Sequence, residues 1–213
     1  METSFQLPRA GTVTEHEDEI KRSRFIALVG RVESEDEARG FITEARERFP
    51  DARHHCSAYV IHVDGANPVE RSSDDGEPSG TAGKPMLDVV KGSGMLNVCA
   101  VVVRYFGGIK LGAGGLVHAY SGAVGSAMER VPRVTRSRKE LYTVHVSHAE
   151  AGRLEAELRA RKVDIRDVTY GADVAIVLAT EPDGEEALVA LLAGLTQGQV
   201  EPEPSGEDWV ESA

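Results

Sequence analysis

Cysteine is scarce in this chain. Cys56 and Cys99 are the only two in 213 residues. Both fall in apolar stretches without metal-type spacing, which excludes a disulfide framework and predicts two buried thiols in a cytoplasmic protein. Long hydrophobic runs are also missing. No segment approaches the ~18 apolar residues of a membrane span, so no membrane partner is expected. The first twenty residues, METSFQLPRAGTVTEHEDEI, lack the basic start and apolar stretch of a signal peptide. Gly-x-Ser-x-Gly, His-Glu-x-x-His and Gly-x-x-x-x-Gly-Lys-Ser/Thr are absent, as is a Ser-His-Asp pattern, so the familiar hydrolase, zinc-peptidase and P-loop signatures are excluded.

Positive charge is short overall, at a net −11, but it is unevenly spread. Residues 53–139 carry 11 basic and 7 acidic side chains, and residues 140–213 carry 5 and 16. Only the middle segment can face an anionic partner, and it does so against the repulsive field of the whole chain. Apolar residues make up 41%, enough to bury a core.

Periodicity gives two α+β domains. Phe25–Val32 reads as a strand, and Ser34 and Glu37 form a capping box. The helix after them places Ala38, Phe41, Ile42, Ala45 and Phe49 on one face and ends at Pro50. His55–Val63 is a second strand. A short helix runs through Met86 and Val90 to Gly92. Val98–Val103 is apolar without alternation, as in a central strand buried on both faces. A long helix comes next, through Leu116, Tyr120, Ala123 and Ala127. The basic run Arg133–Lys139 reads as a linker. Beyond it the order is β-α-β-β-α, most of a split βαβ unit. Ser147 with Glu150, and then Asp183, are the expected helix caps. We expect residues 1–135 to form one domain and 140–200 a second, with 201–213 a disordered acidic tail.

Two segments carry possible chemistry. Arg71–Pro85 (RSSDDGEPSGTAGKP) is polar and turn-rich, yet lies between a strand and a helix of one domain, which marks it as an intradomain loop. Its Asp74, Asp75 and Glu77 suit a cation site or acid–base pair, or else a solvated turn. The second segment, Gly107–Gly115 (GGIKLGAGG), joins a buried strand to a helix. Its glycines either free backbone amides for an anion, with Lys110 adding charge, or let strand and helix pack closely. His55 and Cys56 are adjacent on a strand and point to opposite faces, so they cannot pair.

Arg53-His54-His55-Cys56, Ser73 through Pro85, Val103 through Gly112 and Lys21-Arg22-Ser23-Arg24-Phe25 resemble the YigZ/IMPACT family over residues 15–130, and residues 140–197 resemble the small C-terminal domain of its bacterial members. The resemblance implies a two-domain α+β fold. Its first domain is a two-layer α/β sandwich similar to the second domain of small-subunit ribosomal protein five. Its second is ferredoxin-like. The eukaryotic branch contains a translation regulator that acts by protein–protein competition. The resemblance therefore implies a non-catalytic, translation-linked binding protein with RNA, the ribosome or a translation-associated protein as partner. The candidate binding residues are Arg53, His54, Arg71, Ser73, Asp74, Asp75, Glu77, Lys84, Arg104, Tyr105, Phe106, Gly107, Gly108, Lys110 and Gly112. No catalytic residue, metal or cofactor is assigned. The alternative is an enzyme that binds a small phosphorylated molecule or nucleotide at the glycine-rich turn.

Overall fold

The structure, a computed structural model, describes residues 3–212. The chain divides into two compact units, Phe5–Thr135 and Arg136–Ser212, the second also taking in Thr3 and Ser4. Both are α+β.

The first unit contains β1 (Ser4–Pro8), β2 (Val13–Ile20), β3 (Ser23–Arg31), α1 (Glu35–Arg48), β4 (His54–Ile61), β5 (Val69–Ser73), α2 (Gly83–Gly92), β6 (Val98–Tyr105) and α3 (Gly112–Met128). Its sheet has the order β2-β3-β6-β4-β5, antiparallel throughout. β6 is the central strand. Val98, Ala100 and Val102 face a core shared with α2 and α3. Cys99, Val101 and Val103 face one shared with α1. Six consecutive side chains are therefore fully buried, each valine contributing about 1.5–3 kcal/mol. Helices thus cover both faces of this sheet, α1 on one and α2 with α3 on the other.

The outer strands are polar. β2 reads VTEHEDEI, and its burial alternates only between exposed and partly buried. β5 reads VERSS. Charged edges discourage pairing with other chains, and they also hide a strand from hydrophobic pattern. Arg71 and Ser73 lie in β5, and Gly83–Pro85 open α2, so the loop is shorter than expected.

The capping box on α1 forms with one change. Ser34 Oγ accepts from Glu37 N at 3.1 Å, but the Glu37 carboxylate returns to the amide of Glu33 at 2.7 Å, one residue before the cap.

The second unit runs through β7 (Arg133–Val146), α4 (His148–Ala160), β8 (Asp164–Tyr170), β9 (Val174–Thr180), α5 (Glu185–Thr196) and β10 (Glu203–Ser212). β7 pairs with β9, β9 with β8, and β10 with β7. β10 completes the β-α-β-β-α-β order of a ferredoxin-like unit. Val144, Ile176 and Leu178 pack against Leu154, Leu158, Leu188 and Leu192. Two expected caps are not made. Ser147 Oγ donates to the Glu150 carboxylate at 2.7 Å rather than accepting an amide, and α5 is preceded by Gly184 rather than capped by Asp183.

The division between the units falls inside the basic run, after Thr135, but neither that run nor the acidic tail is without regular structure. Arg133–Lys139 begins β7, and Glu203–Ser212 is a strand beside it. Arg136 donates to Glu211 at 2.7 Å, and Arg138 pairs with Glu207. Val210 is buried. Acids that would repel one another in a free tail are matched to the cations of β7. Removing residues 203–213 bares that edge. The expected result is amide hydrogen exchange accelerated roughly tenfold or more at the β7 amides that face β10; unchanged exchange would show that β10 contributes no protection.

Candidate functional site

The site is built where β6 ends. Strand register sets His54 and Phe25 directly opposite Arg104, one on each flanking strand. Arg104 is on the α2/α3 face, and its guanidinium lies 5.4 Å from the Phe25 ring and 5.6 Å from the Phe106 ring. The next residue, Tyr105, points to the opposite face, where Arg24 covers its ring. The chain then turns through Gly107–Leu111 into α3.

Two glycines explain the turn. A Cβ on Gly107 would lie 2.0 Å from the carbonyl of Arg22, so this position serves close packing. Gly112 has φ +74° at the first residue of α3, a conformation that L side chains rarely adopt.

The three carboxylates expected to act together diverge. Asp75 at φ 42° and Gly76 at φ 84° reverse the chain between them. Asp74 turns to the start of α2, accepting from the amides of Gly80 at 2.8 Å, Ala82 at 3.0 Å and Gly83 at 2.8 Å. It supplies the cap that Ala82 cannot. Partial burial opposes its ionisation, but these three amides outweigh it and hold the carboxyl below the usual range. Asp75 accepts from the His55 amide and from Arg46, each at 2.6 Å. Burial is again opposed and outweighed, and its pKa is also lowered. Glu77 turns inward. Its Oε1 accepts from Arg104 Nη1 at 2.6 Å and from the Tyr120 hydroxyl at 2.7 Å. The side chains of Glu77 and Arg104 are only 4% and 7% exposed. Among the described residues, no three His, Cys, Asp or Glu side chains are gathered as a metal site requires.

Above this ion pair lies an open cleft of about 400 Å³. Arg53, His54, Glu77, Arg104, Phe106, Lys110 and Gly112 line it. His54 is fixed by a 2.9 Å contact between Nδ1 and the Asp75 carbonyl. Arg53 and Lys110 are exposed and form no ion pair among the described residues. The N-terminus of α3 receives no side-chain cap, because Leu111 offers no acceptor.

The other candidates are placed elsewhere. Arg71 approaches Glu35 of α1, at 3.7 Å, on the far face of the sheet. Lys84 pairs with Asp88 on the surface of α2. Ser73 accepts from the Asp75 amide, and Gly108 is a turn residue with φ +85°. Helical spacing marks Tyr120 only as a core residue, so its part in the site is an addition. A tyrosine on the apolar face of a helix needs a partner for its hydroxyl, and that requirement is the available signal.

The two cysteines are free and buried. Cys56 donates to the Asp74 carbonyl at 3.0 Å, and burial pushes its pKa up to about 12, which leaves it a poor nucleophile. His55 projects to the other face and contacts the Phe49 carbonyl at 3.0 Å.

Residues 21–128 match the Impact N-terminal domain, and residues 144–199 match a domain of unknown function, DUF1949. The Bacillus subtilis IMPACT family member YvyE is 39% identical over 92% of this chain and 88% of its own. The Escherichia coli IMPACT family member YigZ is 38% identical over 86% of this chain and 90% of its own. The yeast protein IMPACT homolog is 36% identical over 47% of this chain and 40% of its own. A solved structure described as an hypothetical protein superposes with a TM-score of 0.63 at 35% identity, covering 96% of this chain and 98% of that one.

Proposed function

Because the chain belongs to the IMPACT family, we propose that it is a regulatory binding protein linked to translation, which engages RNA, on the ribosome or free, through the cleft of its first unit. The observation that carries this reading is the cleft itself. Arg53 and Lys110, two cations without ion-pair partners among the described residues, flank an uncapped helix start and an exposed aromatic ring, Phe106. Cations and backbone amides hold phosphate, and an exposed ring stacks on a base. The family's eukaryotic branch points to translation. The second unit carries most of the chain's net negative charge, so contact with RNA is assigned to the first. Among the described residues, no helix is long and apolar enough to cross a membrane.

Co-sedimentation with ribosomes and binding of labelled single-stranded RNA, each at low and moderate salt, test the reading. Binding is expected at low salt and should fall as salt rises. Replacing Arg53 and Lys110 together with alanine should reduce the slope of log affinity against log salt by about 1.4 on single strands. If neither ribosomes nor RNA bind at low salt, the partner is a protein instead.

A further inference from the structure

The charge of the cleft is specific enough to select among phosphates. Arg104 is matched by Glu77, which leaves that pair neutral. Arg53 and Lys110 then supply two positive charges facing the same space. The positive end of α3, a helix of 17 residues, adds to them. Independently of the helix, Arg104 is 6% exposed, and its Nε has no hydrogen-bond partner among the described residues. That Nε is itself buried, and the Phe25 and Phe106 rings lie against the guanidinium, so Arg104 builds the cleft wall and leaves Arg53 and Lys110 as the charges that meet a ligand.

A phosphodiester carries one negative charge. A phosphate monoester carries about −1.5 to −2 at neutral pH, which matches two cations. The volume, about 400 Å³, is at the small end of ligand pockets, roughly 300–1,000 Å³, and suits one nucleotide rather than a duplex. Phe106, 53% exposed at the rim, offers a face for a base.

We infer that the cleft takes the terminal phosphate monoester of a nucleotide, with the phosphate at the start of α3, Arg53 and Lys110 as its counter-charges, and the base against Phe106. This rests on the RNA-binding reading above and narrows it from the strand to its end. The same chemistry is offered by two sources, an RNA with a phosphorylated end and a free mononucleotide.

The test uses the full chain and a single-stranded hexauridylate labelled at its 3′ end, with and without a 5′ phosphate, read by fluorescence anisotropy. Uridine monophosphate and inorganic phosphate serve as competitors. The phosphorylated strand is expected to bind at least tenfold more tightly. That preference should collapse in Arg53→Ala and in Lys110→Ala, persist in Lys91→Ala, which lies outside the cleft, and be competed by uridine monophosphate better than by phosphate. Equal affinity for the two strands would overturn this inference and leave the RNA reading standing. Uridine monophosphate bound with neither strand bound would overturn the inference for RNA ends and make the free nucleotide the source of the monoester. Silence from all four ligands would overturn the inference altogether, and in both cases ribosome co-sedimentation at low salt decides the RNA reading separately. A preference that survives both cleft variants would overturn the location.

Discussion

Glu77→Ala is expected to destabilise the first unit by about 3–5 kcal/mol, measured by urea denaturation at neutral pH. The size comes from what is left behind. Arg104 stays buried on the α2/α3 face of the sheet, with Nε already unpartnered among the described residues and Nη1 now lacking its acceptor. Tyr120 also loses the acceptor for its hydroxyl. Against a total domain stability of about 5–15 kcal/mol, this is a large loss. Smaller changes should rank below it. Tyr120→Phe removes one donor to a charged acceptor and should cost about 1.5–3 kcal/mol. Glu77→Gln keeps an acceptor oxygen but removes the charge, and should fall between that and alanine. Glu77→Leu combined with Arg104→Met removes both charges at similar volume and should recover most of the loss. A Glu77→Ala variant within 1 kcal/mol of wild type would mean that water reaches Arg104 freely, and the double variant would then show no recovery.

The Glu77–Arg104–Tyr120 cluster also marks the limit of what the sequence displays. Arg104 is 27 residues from Glu77, and Tyr120 is 43, so only strand register and helix phase bring them together. Elements with an apolar period are legible: the central strand β6, its neighbours β3 and β4, and helices α1 and α3. The edge strands β2 and β5 are not, because their stability comes from backbone pairing and their side chains are polar. β10 is hidden for a related reason. Its acids read as a self-repelling tail until the cations of β7 are set beside them. At the site, the glycine-rich turn and the Arg53-His54 pair are readable as candidates. The divergence of Asp74, Asp75 and Glu77 is not, since it depends on two successive left-handed residues. Tyr105 and Arg71 are separable in principle. Strand alternation puts Tyr105 opposite to Arg104, and Arg71 pairs with Tyr59, whose side chain belongs to the α1 face.

Asp74→Ala should cost about 2–4 kcal/mol at pH 7, and the penalty should shrink in acid. Its carboxylate is an acceptor for three amides at or before the first turn of α2. Bonds to a charged group contribute about 1.5–3 kcal/mol, and those sharing one carboxylate do not add in full. The helix dipole favours the charge further. Because the amides depress the folded pKa, ionisation of this carboxyl stabilises the native state relative to the unfolded chain. An unfolded aspartate titrates near pH 3.9. The contribution is therefore complete above about pH 5, and it is lost as pH falls through 4 toward the lower folded value. Asp75, also depressed, keeps its own share of that acid sensitivity in the variant. Wild type should thus lose more stability between pH 6 and pH 3 than Asp74→Ala does. Asp74→Asn should sit between them at pH 7, because its carbonyl can serve only part of the amide set. Parallel stability curves for wild type and Asp74→Ala across that range would show that the carboxylate's charge contributes nothing to holding the α2 start.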